Sequence, residues 1–222
     1  MTKHDYPLSL TAVLVALAAL LSGPIGFGLT LLRPQPAWEN TATFIAHAHP
    51  VQQLPYWFGF VLLVACVLFF ARVAALAFAT HPTRALFALL CVGIYAAMVS
   101  INYALQIIYV PQLVRDGNPA LAYITMANGR APTWILEMVG YAFLGIGTAI
   151  VAPLLRTSPR GRWIRRLFVA NGVLSLAGAV VIAGNLAWVM TVPGLVAYLA
   201  WNAMFIAMMV LVAIDYRPPH AI

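Results

Sequence analysis

The stretch PYWFGFVLLVACVLFFARVAALAFAT, residues 55–80, carries a single charge, Arg72, across 26 residues. A helix needs about 20 apolar residues to cross the hydrocarbon of a bilayer. No backbone polar group can be left unpaired there. Residues 55–80 meet that requirement, and Arg72 is close enough to one end for its stem to carry the guanidinium to the headgroups.

Five further runs meet the same requirement: Leu8 to Leu32, Ala85 to Val110, Pro132 to Leu155, Leu167 to Met190 and Leu195 to Ile214. Composition agrees with them. Hydrophobic residues make up 64% of the chain and charged residues 8%, where a soluble fold carries about 25% charged. The expectation is an all-α, polytopic transmembrane bundle of six spans, forming one domain over residues 1–222. The first run has Lys3 before it and a Ser22-Gly23 pair like a signal cleavage site. Its apolar character continues to Leu32, too long for a signal core, so it is expected to be a retained helix.

Basic residues distribute unevenly over alternate links. Lys3, Arg72, Arg84, Arg156, Arg160, Arg162, Arg165, Arg166 and Arg217 fall on one side, and Arg33, Arg115 and Arg130 on the other. The positive-inside rule then puts both termini in the cytoplasm, in a cell or inner membrane. The five arginines between Arg156 and Arg166 account for much of the net charge of +7. They are expected to meet anionic lipid headgroups rather than nucleic acid. On the opposite side two long links, residues 33–54 and 111–131, have room for short helices that cap the bundle.

An internal duplication is a weak signal. Thr80-His81-Pro82 echoes Thr157-Ser158-Pro159, and Val110-Pro111 echoes Val192-Pro193.

Polar residues inside the spans are the informative ones, because each needs a partner in hydrocarbon. Glu137 is the only acidic residue well within a span, about 8 Å from the outer end of the fourth. Trp134 and Tyr141 share its face at i−3 and i+4. On the third span Asn102 and Gln106 form an i, i+4 pair. Asn185 lies near the outer end of the fifth, and Tyr198 and Asn202 pair on the sixth. Their shared depth predicts an outward-facing pocket lined by Asn102, Gln106, Trp134, Glu137, Tyr141, Asn185, Tyr198 and Asn202. Hydrogen-bonded helix packing is the competing account. Glu137 is expected to be a protonated carboxyl that donates a hydrogen bond to Asn102, Gln106 or Asn202. Ser22-Gly23-Pro24-Ile25-Gly26 marks either a kink at a crowded crossing or a broken helix. Ser175, Ala179 and Ala183 form a ridge of small residues suited to close packing.

Cys66 and Cys91 sit singly within spans, as small packing residues do. His47 and His49, near Glu39, lack a convincing third ligand, so no metal site is expected. No span contains histidine or lysine, which removes intramembrane bis-histidine haem and a retinal Schiff base. No cofactor is expected, and no Walker, GxSxG or HExxH motif supports an enzyme. Three readings fit. The first is a protein that binds or carries a small amphipathic or cationic ligand. The second is an intramembrane enzyme acting on a lipid or isoprenoid, with Glu137 as acid or base. The third is a non-catalytic assembly or scaffold subunit. A homo-oligomer is compatible with each.

Overall fold

The computed structural model describes residues 5–156 and 158–217. Lys3 and Thr157, used above for orientation and for the repeat, lie outside them. Among the described residues there is no strand. Six helices are long and apolar enough to cross a membrane: α1 Pro7–Thr30, α2 Pro50–Ala77, α3 Pro82–Arg115, α4 Thr133–Leu154, α5 Pro159–Gly184 and α6 Val192–Asp215. The chain is an integral membrane protein.

Each helix packs on the next in sequence, and α6 returns to α1, so the bundle is a closed ring in chain order. Ser9 near the start of α1 donates to the Ala213 carbonyl near the end of α6 at 2.7 Å, which closes the ring. The interior is filled by large side chains. Phe69, Phe70, Tyr95, Phe168 and Phe205 are fully enclosed, and the Phe69 and Phe70 rings meet edge to face. Outside, Leu17, Val61, Leu90 and Val173 are each more than half exposed. Such apolar surface is stable facing lipid.

Two helix boundaries differ from the sequence expectation. The fifth span begins at Pro159, not at Leu167, and ends at Gly184. Ser158 accepts from the Gly161 amide at 2.8 Å and Pro159 follows at the first helical position, a combination that starts a helix whatever the charge beyond it. Most of the arginine-rich linker is therefore the first two turns of α5. At its other end, residues 186–190 turn in a 3₁₀ segment. The third span overruns its expected end at Val110 and continues to Arg115, through a π-helical turn at Leu105–Tyr109. Pro111 is tolerated there because it opens the α-helical stretch that follows the π turn. Val110-Pro111 thus lies within a helix, whereas Val192-Pro193 starts one. The two pairs are not equivalent.

The Ser22 to Gly26 segment is a crowded crossing. α1 stays helical through a π turn at Leu21–Ile25 containing Pro24. A Cβ on Gly26 would stand 3.2 Å from the Pro55 Cα. Between α4 and α5 the seam runs through Gly145, Gly172 and Ser175, where a Cβ on Gly172 would meet the Gly145 carbonyl at 2.9 Å. The expected ridge only partly takes part, since Ala183 is exposed. Asn171 donates across the same seam to Thr148 at 3.0 Å.

The ends of the ring differ. At one, Phe44, Val110, Leu113 and Leu121 form a small second core packed by Trp38, so links 33–54 and 111–131 cover the bundle jointly. Asn40 caps the two-turn helix Thr41–His47, and His49 caps the turn Pro50–Gln53. At the other end, Arg156 donates to the Asp215 carbonyl at 2.7 Å, and its guanidinium lies 4.4 Å from the Tyr216 ring centre. Arg165 donates to the Leu155 carbonyl. Arg160, Arg162 and Arg166 are exposed.

Orientation is tested by single-cysteine labelling in a Cys66/Cys91-free background. Gly161 is unsuitable as a label site, because a Cβ there would stand 2.1 Å from the Arg156 carbonyl oxygen. Arg160 and Asn118 are exposed at opposite ends. Basic asymmetry predicts that a cysteine at 160 reacts only after the membrane is opened, and one at 118 reacts in intact cells. The reverse pattern overturns that orientation.

Candidate functional site

Glu137 lies one turn inside α4, near the doubly covered end of the ring, and is half-buried. Two neutral donors on α3 hold its carboxyl. Asn102 Nδ2 donates to Oε2 at 2.8 Å, and the Tyr103 hydroxyl donates to Oε1 at 2.8 Å. The carboxyl therefore accepts from α3 where the sequence led to the expectation that it donates, because two donors converge on it. The Tyr141 hydroxyl, one turn along α4, lies 3.3 Å from that of Tyr103. A short hydrogen-bonded chain thus leads from Glu137 through Tyr103 to Tyr141.

The backbone arranges these donors. Asn102 and Tyr103 are consecutive, yet both are buried, because α3 is wedged between α2 and α4. Asn102 faces α4, and Tyr103 reaches over α2. Gly59 makes that reach possible, since a Cβ there would stand 2.2 Å from the Tyr103 ring. Tyr56 and Phe60 flank the same ring, with centroids 5.6 and 5.9 Å away. Beneath, Tyr141 meets Tyr95 at 5.3 Å and Trp201 at 5.1 Å, and Trp201 stacks on Phe205. Tyr56 and Tyr198 also lie within electrostatic reach of Glu137.

A segment of the 111–131 link descends onto this group. Gln106, in the π turn of α3, uses both ends of its amide: Nε2 donates to the Ile124 carbonyl at 2.8 Å, and Oε1 accepts from the Met126 amide at 3.1 Å. The Trp134 indole donates to the Met126 carbonyl at 3.1 Å, and Asn102 Nδ2 also reaches the Met126 sulfur at 3.1 Å. Met126 is thereby fixed at its amide, carbonyl and side chain. The π turn contributes by adding a residue per turn, which keeps Gln106 on the inward face.

Of the eight residues proposed from sequence, Asn102, Gln106, Trp134, Glu137 and Tyr141 form this connected group. Asn202 is buried in the ring interior, where its amide donates to the Tyr198 carbonyl at 2.9 Å. Its side chain occupies the notch left by Gly23 of α1, and a Cβ there would stand 2.1 Å from Oδ1. Tyr198 is 41% exposed and is a peripheral member. Asn185 is not part of the lining. It is exposed at the end of α5, because that helix stops at Gly184 and Asn185 adopts an extended conformation as the cap of the next turn.

Tyr103, Tyr56, Met126 and Trp201 were missed. Tyr103 had a signal in its i+4 spacing from Val99, which the choice of Asn102 at i+3 obscured. Met126 had none, since it lies in a link. The histidines are engaged locally: His47 Nδ1 pairs with the Thr43 carbonyl at 2.9 Å, and His49 Nδ1 accepts from the Val51 amide at 3.2 Å. Compared with known proteins, the chain matches no family model, no curated protein and no solved structure.

Gln106→Ala removes both bonds that pin Ile124 and Met126. Losing a buried hydrogen bond costs about 1–3 kcal/mol, so amide exchange at Met126 should accelerate roughly tenfold or more while that of α2 is unchanged. Equal protection in the variant would show that the clamp does not hold the segment.

Proposed function

We propose that the protein binds a small cationic ligand with an apolar body at the covered end of the ring, with Glu137 as the counter-charge. The observation that carries this reading is the setting of one half-buried carboxyl among aromatic rings, oriented only by neutral donors. A carboxylate whose hydrogen bonds come from an amide and a phenol keeps its charge uncompensated, and an entering cation supplies the compensation. Tyr56, Tyr103 and Tyr141 offer ring faces and edges to the same ligand, with cation–π attraction of about 0.5–2 kcal/mol each where a face is available. The segment ending at Met126 covers the group, so entry requires that segment to lift.

The hydrogen-bonded chain from Glu137 through Tyr103 to Tyr141 favours a second reading, proton transfer to or from a lipid or isoprenoid. Glu137 would then be the acid or base and Tyr103 the group that orients it. Under this reading Tyr103→Phe slows turnover of an extracted lipid without removing its binding.

The test of the first reading uses tetraphenylphosphonium, a cation with an apolar body and no titratable group, with calorimetric binding in detergent. Glu137→Gln preserves size and hydrogen bonding but carries no charge. It should fold and bind the probe at least tenfold more weakly, about 1.4 kcal/mol. Equal affinity in the variant removes the counter-charge role.

A further inference from the structure

At the arginine-rich end, away from Glu137, a groove of about 360 Å³ opens on the outer surface between the start of α3 and the end of α4. It is lined by Thr83, Arg84, Phe87, Ala149, Ile150 and Pro153. Pro153 lies in the 3₁₀ segment Ala152–Leu154 that ends α4. Phe87, one turn into α3, is 53% exposed and forms a wall rather than a plug.

The lining is polarised along the helix axis. Thr83 and Arg84 stand at the start of α3, and Phe87, Ala149 and Ile150 continue from there toward the middle of the spans. Arg84 is exposed, and the Asp215 carboxylate accepts from Ser158. Arg156 and Arg165 of the linker are bound to backbone carbonyls. The groove therefore couples an exposed cation at the helix end to an apolar furrow.

We propose that this groove is a binding site for an anionic phospholipid, with the phosphate on Arg84 and Thr83 and the upper part of one acyl chain against Phe87, Ala149 and Ile150. Charge complementarity selects the anionic headgroup, since a guanidinium holds phosphate through paired N–H donors. The apolar walls select a lipid over a soluble phosphate. The site is independent of Glu137 and of which leaflet this end occupies.

Delipidated protein in detergent is titrated with phosphatidylglycerol, phosphatidylcholine or inorganic phosphate, and bound molecules are counted by native mass spectrometry. The wild type should retain one phosphatidylglycerol at least tenfold more tightly than phosphatidylcholine, and inorganic phosphate should not compete. Arg84→Gln should lower phosphatidylglycerol retention to the level of phosphatidylcholine. Ile150→Ala, which widens the groove and leaves Arg84 in place, should weaken both lipids. Arg160→Gln/Arg162→Gln/Arg166→Gln, altering the exposed linker arginines, should leave the tight molecule bound. The proposal is overturned if Arg84→Gln keeps it, if the triple variant alone loses it, or if inorganic phosphate displaces it. Gel filtration of each variant establishes that it is folded, and Ile150→Ala keeps the question open to refutation should Arg84→Gln fail to fold.

Discussion

Inside hydrocarbon a polar group has only the protein to bond to, and that constraint organises the covered end of this bundle. The Glu137 carboxyl draws Asn102 and Tyr103 from α3, and each of these imposes its own demand. Tyr103 needs the empty place above Gly59, and Asn102 leaves its remaining reach to the Met126 sulfur. Gln106 then spends its amide on the backbone at Ile124 and Met126. A link that crosses the end of the bundle is thereby tied to the interior of two helices. Model-peptide and mutational values for such interhelical bonds are modest, about 0.6–2 kcal/mol each. Their effect here comes from sharing, because Asn102 serves the carboxyl and the covering segment at once.

The ring topology has a second consequence. Chain-order packing leaves the centre to side chains alone, and aromatic residues fill it below the polar group. The polar chain from Glu137 reaches Tyr141 and there meets the rings of Tyr95 and Trp201, with Phe205 stacked on Trp201. The arrangement gathers polar groups at the covered end and aromatic rings below them. Glycines set the close approaches that make this possible, Gly23 against Asn202 and Gly59 against Tyr103. At the opposite end the arginines divide between two tasks. Arg156 and Arg165 satisfy backbone carbonyls where helices stop, and Arg160, Arg162 and Arg166 remain exposed.

The six spans were legible because lipid demands length and apolarity, both written plainly in residues such as 55–80. Boundaries were less so. The start of α5 was hidden because arginines read as a link, whereas Ser158 and Pro159 begin a helix through them. The end of α3 was hidden because Pro111 read as a stop, whereas a π turn admits it. In the site, depth along a helix identified Asn102, Gln106 and Glu137, since 1.5 Å per residue is a reliable ruler. Rotation about the helix was less reliable, which is why Tyr103 was passed over, and Asn185 lies outside the group because α5 ends at Gly184. Met126 was beyond reach, because its place depends on a link folding back onto residues distant in sequence.

The central claim is that Glu137 is held by Asn102 as one unit across α3 and α4. A double-mutant cycle on thermal or denaturant stability, using Asn102→Ala, Glu137→Ala and the pair, measures that directly. The account predicts a coupling of about 1 kcal/mol, with the second substitution costing markedly less once the first is present. Strict additivity of the two single effects would contradict it.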